Sequence, residues 1–243
     1  RGTPYLIIVN FWQGGYNISM ARIARLVIPN IPHHITQRGN RRQKVFFCDD
    51  DYRHYIALLA EWCKKFSVEI WAYCLMPNHV HLIAVPSDQQ GLQKGVSEAH
   101  RRYSRIINFR ENWRGHLWQG RFASYPMDDV HLLHAARYIE LNPVRAGLAK
   151  DPKDYAFSSA KAHLNGIDDM LVKTLPLLKR INNWSEFLRE PILAETQQKL
   201  QKHERTGRPL GSDDFIGELE IITCRVLIPR KPGPPKTKVS SDK

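Results

Sequence analysis

The stretch MPNHVHLIAV places two histidines, His79 and His81, on either side of Val80 at the start of an apolar run. Side chains alternate between the two faces of a strand, so these two imidazoles are predicted to share one face. A neutral imidazole is a good ligand for a divalent metal ion, and two on one face make half of an open site. The alternative is a pair of solvent-exposed surface histidines, which the apolar flanking residues disfavour.

A metal site of this kind needs a third donor from another element. In ARYIELNPV, Tyr138 and Asn142 are four residues apart, so both lie on the same face of a predicted helix. An asparagine carbonyl oxygen is a hard donor that suits Mg²⁺ or Mn²⁺, and a tyrosine would bring a potential nucleophile beside the metal. From the residues alone, Tyr138 can equally be a half-buried core aromatic and Asn142 a helix-terminal residue ahead of Pro143.

Two other residues compete for roles in the same chemistry. Tyr103 lies in a basic predicted helix, HRRYSRI, but Ile107 stands where a polar partner four residues later is needed, so Tyr138 is preferred. His134 precedes Tyr138 by one helical turn and could act as a general base, although a helix-surface histidine is the simpler interpretation.

The spacing of apolar residues predicts the elements that position these side chains. HHITQRG predicts a first strand, and residues 50–66 predict an amphipathic helix behind an Asp-rich start. VEIWAYCLM and HVHLIAV read as two strands joined by a PN turn, residues 90–110 return to helical spacing, and LWQGRFASYPM could form a fourth strand. DDVHLLHAARYIELN is a helix capped by Asp128 and ended by Pro143. The order β-α-β-β-α-β-α predicts an α+β fold, a ferredoxin-like antiparallel sheet with helices on one face plus a helix that carries Tyr138.

The charge of the chain indicates a polyanionic partner. Lys and Arg outnumber Asp and Glu by 36 to 24 in 243 residues, a net charge of +12 that favours nucleic acid. No apolar run approaches the roughly 20 residues that a membrane-spanning helix needs, so a membrane partner is not expected. The four cysteines form no CxxC pair, which argues against a zinc knuckle or a disulfide framework.

Three segments, MPNHVHLIAV, GHLWQGRFAS and ARYIELNPVRAGLAKDPKDYAFSSAKAH, together resemble the REP-associated tyrosine transposases, single-tyrosine members of the HUH nuclease superfamily. The resemblance covers residues 21–163. It implies that His79 and His81 bind Mg²⁺ or Mn²⁺ beside a phosphodiester of single-stranded DNA. It also implies that Tyr138 attacks this phosphodiester, leaving a 5′-phosphotyrosine link and a free 3′-OH. Asn142 falls where related enzymes carry a polar third ligand, and the implied partners are single-stranded DNA and DNA hairpins.

Basic and aromatic residues supply candidate DNA contacts. Those in one turn and along one helix would contact phosphates: Arg38, Arg41, Arg42, Lys44, Arg101, Arg102 and Arg105. Trp118 and Arg121, in NWRGHLWQGRF, have the mixture of aromatic and basic residues seen in single-strand binders, although Trp118 fits a core position equally well. The alternative for the arginines is a merely solvated basic surface.

Changes in composition along the chain suggest four segments. Residues 20–165 form the predicted catalytic domain, residues 166–228 a helical extension, and residues 229–243 a basic tail predicted to be disordered. Residues 1–19 look unlike the start of a domain and suggest an upstream-extended reading frame. The expected location is cytoplasmic and nucleoid-associated, and the choice between monomer and dimer is left open. Two other functions are considered: a catalytically silent protein that binds the same palindromes, and a zinc-binding RNA module, disfavoured because no Cys/His quartet has metal-ligand spacing.

Overall fold

A computed structural model describes residues 24–228 of the chain. The segments predicted over residues 1–19 and 229–243 lie outside the described residues. Within the described part, the elements follow the predicted order up to the helix that carries Tyr138.

The sheet has four antiparallel strands in the order β2-β3-β1-β4. Their bounds are β1 His33–Arg38, β2 Val68–Met76, β3 His79–Pro86 and β4 Ala123–Pro126. The first and third strands lie in the centre, and the connections β1-α-β2 and β3-α-β4 cross over one face. This is the ferredoxin-like arrangement, so the predicted fold class is confirmed.

Two helices cover one face of the sheet. They are α1, Asp49–Lys65, and α2, Glu98–Arg110, which continues from a π-helical turn at Gln93–Ser97. The core on this side contains Ile35 of β1 together with Val80 and Leu82 of β3. The Asp-rich start of α1 acts as predicted, since the buried carboxylate of Asp51 accepts hydrogen bonds from the backbone N–H groups of Phe47 and Cys48.

The opposite face is covered by α3, Asp129–Glu140, which carries Tyr138. Its N-cap is Asp128, as predicted, and the carboxylate accepts a hydrogen bond from the backbone N–H of His131 at 2.9 Å. Apolar residues of this helix pack against Ile83 of β3 and Tyr125 of β4. Helices therefore lie on both faces of the sheet. His79 and His81 lie on the same face of β3 as Ile83, which is the face covered by α3.

Six further helices follow α3 in the described part of the chain. Their bounds are α4 Asn142–Arg145, α5 Ala160–Asn165, α6 Leu175–Leu178, α7 Trp184–Arg189, α8 Ala194–Thr206 and α9 Asp213–Thr223. Ser212 caps α9 by accepting a hydrogen bond from the Phe215 N–H. The helix α8 contacts β4 and β1, so it packs on the sheet beside α3. In the part of the chain that the structure describes, no helix is long and apolar enough to span a bilayer.

The fourth strand is shorter than the sequence predicts. LWQGRFASYPM suggests a strand over residues 117–127, but regular pairing begins only at Ala123. Before it, Gly120 has φ of +148°, which interrupts an extended chain, and Trp118 makes only an isolated bridge to Gly39. This irregular segment borders the cleft described next.

Candidate active site

The two histidines of HVH lie on the same face of β3, as predicted, at the end of the strand nearest α3. Their ring centroids are 5.0 Å apart, and the ring planes are nearly perpendicular. In the neighbouring strand β1, Arg38 is paired with His79 and Thr36 with His81. All four line a cleft of about 710 Å³ that is bounded by the irregular segment before β4, by α3 and by α8.

Tyr138 of α3 lies in the wall of the same cleft. Its ring centroid is 5.7 Å from that of His81, the two rings are perpendicular, and the side chain is only 6% exposed. The structure thus brings Tyr138 of α3 to the two histidines of β3, although Tyr138 and His81 are 57 positions apart in sequence. This is the convergence that a nucleophile beside a metal-binding pair requires.

The environment of Tyr138 has opposing effects on its acidity. Burial raises the pKa of the phenol, and the carboxylate of Glu204 raises it further. The guanidinium of Arg145, 4.7 Å from the ring centroid, and the side chain of Gln201 lower it. Arg145 is therefore the cation that opposes the cost of forming a phenolate in this site.

Both histidines can present a ring nitrogen to a cation. His79 Nδ1 is hydrogen-bonded to Asn78 Oδ1 at 2.6 Å, and His81 Nδ1 to His34 Nε2 at 3.1 Å. Burial lowers the pKa of His79 to about 4, with Arg38 adding to the effect, and burial also holds the pKa of His81 well below its usual range. Both imidazoles are neutral near pH 7, and with Nδ1 engaged each has Nε2 left as a donor atom. The pair fits a divalent cation.

A chain of polar contacts orients the His34 and His81 rings. The Tyr125 hydroxyl lies 2.6 Å from His34 Nδ1 and 3.4 Å from the backbone oxygen of Leu200, and His34 Nε2 lies 3.1 Å from His81 Nδ1. With the proton of each imidazole on Nδ1, His34 accepts from His81 and the Nε2 atom of His81 is the one left for a cation.

Sequence reasoning missed His34, Arg145 and Glu204. His34 had a usable signal, since it lies in the predicted strand HHITQRG with the same parity as Thr36 and Arg38. Arg145 follows Tyr138 by two helical turns in RYIELNPVR, so helical periodicity was a signal that could have identified it. Glu204 belongs to α8 in the C-terminal extension, and no motif or spacing connects it with the histidines.

The predicted third ligand, Asn142, lies at the junction of α3 and α4. Asn142 is not among the residues that line the cleft, and its side-chain Nδ2 is buried without a hydrogen-bond partner among the described residues. The carboxylate that approaches His81 belongs to Glu204, whose Oε1 is 3.8 Å from His81 Nδ1. Asn142 as a metal ligand stays a prediction.

The structure also places the two rivals of Tyr138. Tyr103 is fully buried on the α1 and α2 side of the sheet, where its hydroxyl donates to the Val45 backbone oxygen at 2.6 Å. It cannot reach the cleft. His134 lies outside the cleft, in a separate cavity with Arg137 and Glu190, which agrees with a helix-surface role.

The predicted DNA contacts separate into three groups. Arg38, Arg42 and Arg121 line the cleft with the histidines. Arg101, Trp118 and Arg121 line an adjoining cavity of about 440 Å³. Arg41, Lys44, Arg102 and Arg105 are exposed outside both.

The structure limits the DNA-binding role of Trp118, Arg101 and Arg102. Trp118 is 6% exposed and its indole N–H donates to the His100 backbone oxygen, so it is chiefly a core residue. Glu98 forms ion pairs with both Arg101 and Arg102, at 2.6 and 2.9 Å, which reduces their combined positive charge.

Comparison with known proteins adds independent information. Residues 27–142 match the family model described as transposase, IS200-like. A protein of Haemophilus influenzae, described as a candidate REP-associated tyrosine transposase, is 24% identical over 124 residues, which span 46% of this chain and 70% of that protein. A solved REP-associated tyrosine transposase bound to a REP hairpin is 22% identical with a TM-score of 0.49, covering 62% of this chain and 90% of that one. A candidate transposase from Deinococcus radiodurans is 19% identical with a TM-score of 0.34, covering 49% and 96%.

Proposed function

We propose that this chain cleaves and rejoins single-stranded DNA next to palindromic hairpins, because residues 27–142 match the model of the IS200-like transposases and the chain resembles the REP-associated tyrosine transposases. The observation that carries the proposal is the position of Tyr138, with its ring perpendicular to His81 and 5.7 Å from it in a cleft that also holds His79. In this proposal Tyr138 is the nucleophile, His79 and His81 bind the metal ion, and the arginines of the cleft bind the DNA backbone.

The proposed reaction is a transesterification at phosphorus. Tyr138 Oη loses its proton and forms a bond to the phosphorus of a phosphodiester, and the bond to the 3′-oxygen breaks. The leaving oxygen takes up a proton and becomes a 3′-OH, while the 5′-phosphate stays on the tyrosine. Attack by a 3′-OH on this phosphotyrosine reverses the step and rejoins DNA, so strand transfer needs no ATP.

His79 and His81 would hold Mg²⁺ or Mn²⁺ through their Nε2 atoms, since their Nδ1 atoms are engaged elsewhere. A bound divalent cation supplies Lewis-acid stabilisation of the charge that develops on the phosphate oxygens, worth several kcal/mol. Asn142, four residues after Tyr138, is kept as a proposed third ligand.

Positive side chains around the cleft would position the DNA backbone. Arg38, Arg42, Arg121 and Arg205 line its wall, and contacts from such residues are independent of sequence and sensitive to salt. Arg41, Lys44, Arg101, Arg102 and Arg105 would extend this surface toward the hairpin. The protein would accordingly act where the DNA is, in the cytoplasm and on the nucleoid.

Arg145 should matter because it stabilises the nucleophile in its reactive form. Replacement by glutamine removes the cation that lowers the pKa of Tyr138, so this pKa rises further and less phenolate forms at a given pH. We expect covalent cleavage near pH 7.5 to slow by roughly tenfold to a hundredfold, and the alkaline rise of the rate to move up by about one pH unit. Single-turnover rates from pH 6 to 10 would measure both effects.

Arg189→Gln is the matched control for Arg145→Gln, since it removes the same charge from the exposed surface of α7, outside the cleft. It should leave the pH profile in place. A profile for Arg145→Gln that keeps its midpoint while the amplitude falls would mean that Arg145 binds DNA and does not tune the phenol.

The proposed function is tested by trapping the covalent intermediate. The full chain is incubated with 5′- and 3′-labelled single-stranded oligonucleotides carrying hairpins of the host genome, with Mn²⁺ or Mg²⁺ and with EDTA. A labelled band at the protein's mass, present with metal and absent with EDTA, is expected, and mass spectrometry should locate the phosphotyrosine in the peptide containing Tyr138. Tight hairpin binding without an adduct would establish the silent DNA-binding protein in place of the transposase.

A further inference from the structure

A second group of possible metal ligands lies behind the HVH pair. His34 of β1, His81 of β3 and Glu204 of α8 converge so that one ligand atom of each, Nε2, Nδ1 and Oε1, lie close together. His34 is fully buried, His81 is 2% exposed, and the Glu204 side chain is 16% exposed. The first two come from the family-matched segment and the third from the helical extension.

The separations of the three atoms suit one metal ion. The two nitrogens are 3.1 Å apart, and Glu204 Oε1 lies 4.0 Å from His34 Nε2 and 3.8 Å from His81 Nδ1. A circle through three points at these separations has a radius of about 2.1 Å, which is the length of a Zn–N or Zn–O bond. An ion could contact all three atoms with side-chain shifts on the order of half an ångström.

The surroundings of the atoms also bear on ligation. His34 Nδ1 lies 2.6 Å from the Tyr125 hydroxyl, so with its proton on Nδ1 the imidazole presents its Nε2 lone pair to the group. Glu204 Oε1 is buried and has no hydrogen-bond partner among the described residues. A buried carboxylate oxygen without a hydrogen-bond partner is a position where a water molecule or an ion is expected to bind.

We propose that His34 Nε2, His81 Nδ1 and Glu204 Oε1 form a buried Zn²⁺ site, separate from the pair presented by His79 and His81 Nε2. Two imidazoles and one carboxylate make a ligand set typical of zinc, and nitrogen-rich sites of this kind favour Zn²⁺ over Mg²⁺. Burial raises the pKa of the Glu204 carboxyl to about 7 against the lowering effect of Arg38 and Arg205, so a cation at this site would compete with a proton for Glu204 as well as with the two guanidinium groups.

The two sites compete for His81. A neutral imidazole has one proton and one lone pair, so it can serve only one ion at a time. Zn²⁺ bound at Nδ1 leaves the proton of His81 on Nε2. His81 then has no lone pair for the cation that the proposed function places in the cleft, so Zn²⁺ should inhibit cleavage. This consequence rests on the proposed function, whereas the zinc site itself does not.

The site is tested without DNA, by titrating the full chain with Zn²⁺ against a chromophoric chelator and with Co²⁺, whose d–d absorption reports four-coordinate N/O ligation. Wild-type protein should bind one ion, and His34→Gln and Glu204→Gln should each weaken binding by about tenfold to a hundredfold. His79→Gln is the matched control and should bind as wild type. Circular dichroism and thermal unfolding of each variant would separate lost ligation from lost folding, because Zn²⁺ should raise the Tm of wild type and His79→Gln but not of Glu204→Gln.

Three outcomes would overturn the inference: no binding by wild type, unchanged binding in folded Glu204→Gln, or loss of binding in His79→Gln, which would put the ion in the HVH pair. A second readout uses the trapped adduct. Zn²⁺ added to the Mn²⁺ reaction should suppress it at least tenfold in wild type and much less in Glu204→Gln. If no adduct forms under any condition, the proposed function fails while the titration still decides the zinc site.

Discussion

Tyr138→Phe should abolish the covalent protein–DNA adduct, with a loss on the order of 10⁴-fold or more, as expected when the nucleophile itself is removed. The substitution deletes a single oxygen, and the phenyl ring can keep its perpendicular contact with His81. Folding and hairpin affinity should therefore change little. Denaturing gels of labelled DNA measure the adduct, and a gel-shift titration measures affinity.

Tyr103→Phe is the matched control for this loss. It removes the same atom from a tyrosine on the other face of the sheet, where the hydroxyl only donates to the backbone oxygen of Val45. We expect about 1 kcal/mol of lost stability and a normal adduct. If the Tyr138→Phe protein still forms the adduct, another residue is the nucleophile and the proposed role of the cleft is wrong.

The sequence was sufficient for the part of the site that depends on local periodicity. The alternation HVH put His79 and His81 on one face, and helical spacing placed Tyr138 on an amphipathic helix capped by Asp128. Both kinds of inference need only a few neighbouring residues, because strand and helix geometry fix where each side chain points. The order of elements likewise indicated the ferredoxin-like sheet.

Residues brought in by long-range packing were beyond such reasoning. Glu204 reaches the site only because α8 packs across β4 and β1, and no local pattern in AETQQKLQKHERT reveals that contact. Asn142 as a metal ligand remains a prediction. It follows Tyr138 by four residues at the junction of α3 and α4, and its side-chain Nδ2 is buried without a hydrogen-bond partner among the described residues.

Glu140→Ala should destabilise the protein more than any other single change considered, because it removes the acceptor of a fully buried network at the end of α3. Its carboxylate accepts hydrogen bonds from Ser159 Oγ and His163 Nδ1, both at 2.6 Å, and from Trp184 Nε1 at 2.8 Å. These donors belong to the segments around α5 and α7, so the network joins α3 to the helices that follow it. Alanine would leave the buried His163 and Trp184 donors without this acceptor, and Ser159 Oγ with the backbone oxygen of Tyr73 at 3.3 Å, at a cost of about 3–5 kcal/mol in the free energy of unfolding.

Urea unfolding followed by circular dichroism would measure this loss, and the expected fall in Tm is on the order of 10 °C. Glu218→Ala, on the exposed surface of α9, is the matched control and should change stability by less than about 0.5 kcal/mol. Glu140→Gln keeps the volume of the side chain, so it separates the loss of hydrogen bonds from the formation of a cavity. All three partners are donors, and the amide NH₂ of glutamine is a donor as well, so this variant should recover little of the lost stability. A Gln variant as stable as wild type would show that packing around α3, and not the carboxylate, fixes the end of the helix that presents Tyr138 to the histidines.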